Sequence, residues 1–139
     1  MKNQPEILSL QQSLVIGGLQ VLSASGELFN HVDQGLPMWA GHGERKVALY
    51  IEILAPFAAP PQAIVGLTGL DNAHDQNLRL LLAPCEITEK GFTIECTTWS
   101  DTHIARVSVS WQAVGHSGTV SPPRNARPVA SRKTAKPKA

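Results

Sequence analysis

Short runs of β-branched and apolar residues, separated by turn residues, recur along this chain from Lys46 onward. There are five of them, and they cover residues 47–53, 63–68, 78–82, 92–99 and 106–111. Short strands at regular spacing are typical of an all-β sandwich or barrel. The chain has 139 residues, which is enough for one hydrophobic core and too few for two. We therefore expect a single β-sheet domain.

The N-terminal part of the chain is harder to interpret. Residues 13–23 have the leucine spacing of a helix, but the pair Gly17-Gly18 costs a helix about 2 kcal/mol, so we predict a strand with a kink there. Glycine and proline interrupt every period between Ser25 and Glu44, which predicts a loop. The predicted organisation is an extension over 1–12 and a sandwich over 13–115.

Alternation within the runs assigns side chains to the two faces of each strand. We expect ten inward-facing residues: Leu78, Leu80, Leu82, Phe92, Ile94, Cys96, Thr98, Val107, Val109 and Trp111. The same parity turns Asn77, Arg79 and Trp99 outward. The link from Thr88 to Gly91 predicts a hairpin between the third and fourth runs, with glycine where a positive φ is needed.

Charge is distributed unevenly along the sequence. Residues 116–139 contain six of the 12 basic residues and none of the 11 acidic ones, so residues 1–115 carry a net charge of −5. The tail also has four prolines and no aromatic residue, and such a segment cannot bury enough apolar surface to order itself. We expect a disordered basic tail over 116–139. No aromatic residues alternate with its basic ones, which argues against nucleic-acid binding.

Several classes of protein are disfavoured. No apolar run approaches 18 residues, which argues against a transmembrane helix. Gln11 and Gln12 interrupt the apolar N-terminal stretch, so we predict no signal peptide and a soluble protein, either cytoplasmic or released by a non-classical route. For Cys85 and Cys96 we favour free thiols over a single bridge.

An enzyme is also disfavoured. The five histidines, at positions 31, 42, 74, 103 and 116, lack the paired spacing of metal ligands. No serine lies in a nucleophile elbow, and the glycines around Gly66 lack the lysine of a phosphate loop. We therefore predict a non-enzymatic protein without a cofactor or a metal site.

Trp99 and Arg79 are the most informative candidate binding residues. An outward tryptophan at a strand end offers an aromatic face to the C–H face of a sugar ring, and a nearby arginine offers five hydrogen-bond donors in a fixed fork. In the alternative interpretation Trp99 packs under a loop and Arg79 pairs with Asp75 or Asp101. Parity alone leaves both interpretations open.

The stretch from Arg45 to Val114 resembles the H-type lectin domain found in snail agglutinins and discoidins. The matching residues occur in order and without a gap in spacing: Ile51, Ala55-Pro56-Phe57, Pro60-Pro61, Thr68, Leu70-Asp71, Gln76-Asn77-Leu78-Arg79, Thr88, Gly91-Phe92, Cys96, Thr98-Trp99, Thr102 and Val107-Ser108-Val109-Ser110-Trp111. They span about half of the chain.

This resemblance implies a six-stranded antiparallel β-sandwich, a homotrimer or higher homo-oligomer, and glycan ligands bound between subunits. The implied ligand class is galactose or N-acetylgalactosamine. Arg79 and Trp99 stand where members of the family contact sugar. We expect five further residues to complete the cleft: His42, Ser100, Asn77, Asp101 and His103.

Other positions depart from the family pattern. His42 stands where the family has a carboxylate that holds sugar hydroxyls, Ser100 where the snail protein has a histidine, and Ala105 where it has an aromatic residue. His42 is expected to reach the cleft from a neighbouring subunit. These departures leave an alternative function open: a structural or adhesion module of a surface or particle assembly that has lost sugar binding.

Overall fold

The computed structural model describes residues 10–118 of the chain. This part contains seven strands and one short helix, in the order β1 (Gln12–Ile16), β2 (Leu19–Asn30), α1 (Pro37–Ala40), β3 (Arg45–Glu52), β4 (Gln62–Asn72), β5 (Leu81–Thr88), β6 (Gly91–Thr98) and β7 (Ile104–His116). They form a four-stranded sheet, β1-β2-β7-β4, and a three-stranded sheet, β3-β6-β5. All strand pairs are antiparallel. The predicted all-β antiparallel sandwich is confirmed.

The described residues contain seven strands, although the resemblance implied six. The predicted kink at Gly17-Gly18 is a hairpin turn in which Gly17 has φ 61°, and it divides the predicted first strand into β1 and β2. β1 pairs with the start of β2 from Gln12 opposite Ser23 to Ile16 opposite Leu19. A left-handed φ costs glycine little, so the chain reverses there at small cost.

Two further expectations are wrong. Residues 25–44 are not all loop, because β2 continues to Asn30 and Pro37–Ala40 form a helical turn. Leu78 does not face the core: it lies before β5 and is 46% exposed, whereas Leu80 and Leu82 pack against the core. The leucine alternation begins at Leu78, but β5 begins three residues later, at Leu81.

The core lies between the two sheets. The inward faces predicted for the last two runs are confirmed, since Phe92, Ile94, Cys96, Thr98, Val107, Val109 and Trp111 are all buried. Phe92 of β6 meets Trp111 of β7 edge-on, with 5.2 Å between ring centroids. This contact packs the two sheets against each other in the core.

The predicted hairpin between β5 and β6 is confirmed, with Thr88 opposite Gly91. Its glycine is needed for a different reason from the one expected. Gly91 does not have a positive φ; instead, a Cβ there would lie 2.5 Å from the backbone oxygen of Ile51 and collide with the hydroxyl of Tyr50. Close approach of β3 therefore fixes glycine at this position.

The folded part extends slightly past the predicted boundary at residue 115. β7 continues to His116, and Ser117 is buried and bridges to Phe57. The rest of the predicted tail, and residues 1–9 of the predicted extension, lie outside the described residues. Both cysteines are free thiols, as expected. Within 10–118, no helix is long and apolar enough to cross a membrane.

Candidate functional site

Three connecting segments meet at one end of the sandwich. β3 begins at Arg45 opposite Thr98, where β6 ends, and β5 begins at Leu81 opposite Thr97. β7 begins at Ile104 opposite Asn72, where β4 ends. The segments 41–44, 73–80 and 99–103 therefore lie side by side, and they carry all seven predicted site residues.

Trp99 lies on the surface of this end. It directly follows β6 and is 39% exposed. The next residue, Ser100, has φ 62°, and the backbone N–H of Thr102 donates to the carbonyl of Trp99 at 3.4 Å, which closes a tight turn. Trp99 therefore does not pack under a loop, as the alternative interpretation expected. An aromatic surface is therefore available to a ligand.

Arg79 is oriented toward the same turn. Its Nη1 donates to Asp101 Oδ1 at 2.6 Å, to Thr102 Oγ1 at 2.9 Å and to the Asn77 carbonyl at 3.4 Å. Its own carbonyl accepts from Thr98 Oγ1 at 2.5 Å. The pairing of Arg79 with Asp101, which belongs to the alternative interpretation of these residues, is thus present. Within residues 10–118, Nη2 and Nε make no hydrogen bond, which leaves donors for a ligand.

Asp101 presents a carboxylate beside Trp99. The hydrogen bond from Arg79 is the main reason that the pKa of Asp101 lies below its ordinary value, and the positive charge of Arg79 lowers it further. His42 directly precedes Gly43, whose N–H donates to the Ser100 carbonyl at 2.9 Å, so His42 lies at this end of its own chain. Its action from a neighbouring subunit stays a prediction. Arg79 and Asp101 form an ion pair in which the acid is 57% exposed and the base 24%.

Arg45 connects segments 41–44 and 99–103, and sequence reasoning did not identify it as part of the site. It is buried, and its Nε donates to the Gly43 carbonyl at 2.7 Å and its Nη2 to the Ser100 carbonyl at 3.0 Å. Its Nη1 donates to the carbonyls of Pro37 and Met38 at 3.2 and 3.3 Å. Burial lowers the pKa of Arg45, but arginine stays charged at neutral pH. Arg45 is thus a positioning residue.

His103 connects segments 73–80 and 99–103. Its backbone N–H donates to Gln76 Oε1 at 3.2 Å, and its Nδ1 lies 3.3 Å from Gln76 Nε2. Because an amide nitrogen only donates, Nδ1 accepts and the neutral ring carries its proton on Nε2. The ring also lies 6.2 Å from that of Trp39. His103 therefore has a positioning role, and Trp39 is a second aromatic residue near the site that the sequence did not single out.

The remaining predicted residues lie on the surface of the same cluster. Asn77, Ser100 and His42 are exposed. The carbonyl of Asn77 accepts from Thr102 Oγ1 at 2.6 Å, while that of Ser100 accepts from the Gly43 N–H at 2.9 Å. The structure thus brings the predicted residues to one rim. Among residues 10–118 there is no group of three or more histidine, cysteine or acidic side chains arranged to hold a metal ion.

Solved structures share this fold. The chain superimposes on the recombinant discoidin II of Dictyostelium discoideum with a TM-score of 0.63 and 19% identity, over 72% of this chain and 38% of discoidin II. The wild-type discoidin II structure gives the same values. The chain thus spans well under half the length of discoidin II, and the likeness is one of fold.

Sequence comparison is more specific. A protein of Fuscovulum blasticum described as "ATP synthase subunits region ORF 7" is 40% identical over 88 residues, which are 63% of this chain and 76% of that protein. Residues 54–114 match the H-type lectin domain. These residues include β4 to β6, the Trp99 turn and β7 as far as Val114. The chain belongs to the H-type lectin domain family.

Proposed function

We propose that this chain is a non-enzymatic carbohydrate-binding protein whose site is the rim formed by Trp99, Arg79 and Asp101. The observation that carries the proposal is the half-exposed Trp99 next to an arginine with unused donors and an exposed carboxylate. An aromatic face, a planar donor fork and a charged acceptor are the groups that a pyranose ring with several hydroxyls requires. Membership of a lectin family supports the same function.

Each group has its own task in this proposal. The indole of Trp99 packs against the C–H face of the sugar. Nη2 and Nε of Arg79 donate to ring hydroxyls, because Nη1 is occupied by Asp101, Thr102 and Asn77. Asp101 accepts from a hydroxyl through its exposed carboxylate, of which Oδ1 is the oxygen that Arg79 contacts. The exposed side chains of Ser100 and Asn77 lie close enough to the rim to add polar contacts.

We propose galactose or N-acetylgalactosamine as the ligand class, as the family resemblance implies. His42 occupies the position of the family's carboxylate, and an imidazole cannot accept from two hydroxyls as a carboxylate does. Binding by one site is therefore weaker and less selective than in relatives that keep the carboxylate. A homotrimer or higher homo-oligomer compensates through avidity, because several sites act at once on a multivalent glycan.

A glycan array on the purified full chain, with and without calcium, tests the proposal. Trp99→Ala should weaken binding of the best glycan by about 1–3 kcal/mol, comparable to the loss of one aromatic stack. Arg79→Ala should have a similar effect through lost charge-assisted hydrogen bonds. Tyr50→Ala is the matched control, since Tyr50 is an exposed aromatic residue at the other end of the sandwich, beside Lys90.

A second candidate is a structural or adhesion module without a sugar ligand. One observation favours it: Arg79 already makes three hydrogen bonds within the chain, so its main task would be to hold the turn. In that case Trp99→Ala and Arg79→Ala lower the melting temperature and no glycan is retained by the wild type. Measuring melting and binding on the same variants separates the two candidates.

A further inference from the structure

The helical turn α1 places a single side chain in the core. Met38 is fully buried, whereas Pro37 and Ala40 are exposed and Trp39 is half-buried. A tryptophan that serves a core buries more apolar area than most other side chains. Core packing therefore accounts for Met38 but not for the large, partly exposed ring of Trp39.

The backbone around Trp39 is fixed by several contacts. The Met38 N–H donates to His31 Nδ1 at 3.0 Å, and the Gly41 N–H donates to the Pro37 carbonyl at 2.7 Å. A Cβ at Gly41 would lie 2.7 Å from the Pro37 oxygen, so only glycine allows this close approach. The indole N–H of Trp39 makes no hydrogen bond to any residue of 10–118. The turn thus holds the ring in place without using its N–H group.

His103 is the aromatic neighbour of Trp39. The two ring centroids are 6.2 Å apart, and the ring planes are tilted by 58°. Nδ1 of His103 faces the side-chain amide of Gln76, which leaves the proton of the neutral ring on Nε2. Among residues 10–118, nothing accepts a hydrogen bond from this Nε2. An aromatic face and an unused donor therefore lie side by side.

Trp39 and His103 are continuous with the rim, but they are separate from Trp99. Asp101 and His103 flank the fully buried Thr102, so both side chains lie on the outer side of their segment. Two residues of chain span at most about 7 Å. In the part of the chain that the structure describes, the ring of Trp99 contacts no other aromatic ring. A sugar ring that stacks on one indole therefore leaves the other uncovered.

The surroundings of Trp39 are uncharged. Residues 34–43 contain no lysine, arginine, aspartate or glutamate. Leu36, whose carbonyl accepts from the Trp39 N–H at 3.0 Å, is 37% exposed. A group that binds here meets apolar surface and the His103 donor, so a neutral sugar fits this place better than an acidic one.

We propose that Trp39 and His103 form a second sugar subsite, and that the ligand is a neutral disaccharide at the end of a glycan. The terminal sugar binds at the rim, and the next sugar stacks on Trp39 and accepts a hydrogen bond from His103 Nε2. Because the two sugars are linked, the second contact forms at a high effective concentration and adds to the affinity. This inference rests on the carbohydrate binding proposed above.

Isothermal titration of the full chain with matched sugars tests the second subsite. The probes are galactose alone, N-acetylgalactosamine alone, and a panel of neutral disaccharides that carry either one at the non-reducing end, covering each linkage. For the wild type, the best disaccharide should have a dissociation constant about tenfold lower than its terminal monosaccharide, as expected for one additional aromatic stack.

Trp39→Ala should bring the ratio of the two dissociation constants close to one. Trp39→Phe should keep most of the ratio, because it retains an aromatic face. Trp99→Ala is the converse control, since it should weaken the monosaccharide and the disaccharide alike. Equal weakening of both ligands in Trp39→Ala would mean that Trp39 only holds His103 in position, and it would overturn the second subsite.

The wild type alone also decides the question, even if Trp39→Ala does not fold. The monosaccharide should shift the indole N–H signal of Trp99, and the disaccharide should shift the signals of Trp99 and Trp39. A Trp39 signal that responds equally to both ligands contradicts the second subsite. A panel in which no disaccharide exceeds its monosaccharide contradicts this inference and leaves the proposed function intact. A protein that binds none of the sugars contradicts the proposed function itself.

Discussion

Replacement of Arg45 by alanine should destabilise the protein and disorder the site together. Arg45 is 8% exposed and donates to four carbonyls, those of Pro37, Met38, Gly43 and Ser100. No carboxylate pairs with it among residues 10–118. The carbonyls belong to α1 and to segments 41–44 and 99–103, so the guanidinium holds these three parts of the chain against one another.

The magnitude follows from the hydrogen bonds. A bond from a charged donor contributes about 1.5–3 kcal/mol, and such contributions are not additive. Only the bonds to Gly43 and Ser100, at 2.7 and 3.0 Å, are short. Counting these two, and allowing for the cost of burying Arg45 that its lowered pKa reflects, we expect Arg45→Ala to reduce the free energy of unfolding by about 3 kcal/mol.

Urea unfolding measures this loss. With an m-value of about 2 kcal/mol/M, the midpoint should fall by about 1.5 M. Arg45→Lys should recover only part of it, because an ammonium cannot reach four carbonyls as the planar fork does. Arg106→Ala, which breaks one exposed ion pair at 3.3 Å, should cost less than about 1 kcal/mol. An Arg45→Ala midpoint as close to the wild type as that of Arg106→Ala would refute the reasoning.

Three further predictions concern single residues. Burial lowers the pKa of His31 below 6.5. The stability that depends on its neutral form is therefore complete above pH 6.5 and decreases as the pH falls through the folded pKa. His31→Gln should reduce the change of the urea midpoint between pH 7 and pH 5. The pKa of Asp101 is lowered by Arg79, so glycan binding should persist to about pH 4 and fall only below it, while Asp101→Asn should bind weakly already at pH 7 in a fluorescence titration. Gly91→Ala should lower the melting temperature through overpacking worth about 1–3 kcal/mol, whereas Gly18→Ala, whose Cβ would meet nothing within 4 Å, should not.

The sequence predicts those features that depend on regular alternation. The inward faces of β6 and β7 follow from period-two spacing, and so does the exposure of Trp99, because one position after an inward Thr98 must point outward. The hairpin at Thr88–Gly91 follows from its turn residues. The proximity of Arg79 to Trp99 then follows from the pairing of β5 with β6.

Features that depend on tertiary contacts were not predictable. Pro37–Ala40 form a helical turn that is held by two tertiary contacts. The Met38 N–H donates to His31 Nδ1 at 3.0 Å, and Arg45 Nη1 donates to the carbonyls of Pro37 and Met38. Nothing local marks Arg45 as buried, since its four partners come together only when Ser100, 55 residues further along the chain, packs against residues 37–43. The misassignment of Leu78 has a similar origin: it continues the leucine alternation but precedes the point at which β5 begins to pair.

A titration of the best glycan from the array, followed by the indole N–H signals of the three tryptophans, tests the central claim most directly. Trp111 is buried in the core, Trp39 lies beside His103, and Trp99 is exposed at the rim. We predict that the Trp99 signal moves most, that the Trp39 signal moves less and that the Trp111 signal does not move. In Arg79→Ala the titration should no longer reach saturation. A bound glycan that leaves the Trp99 signal unchanged would contradict the assignment of the site.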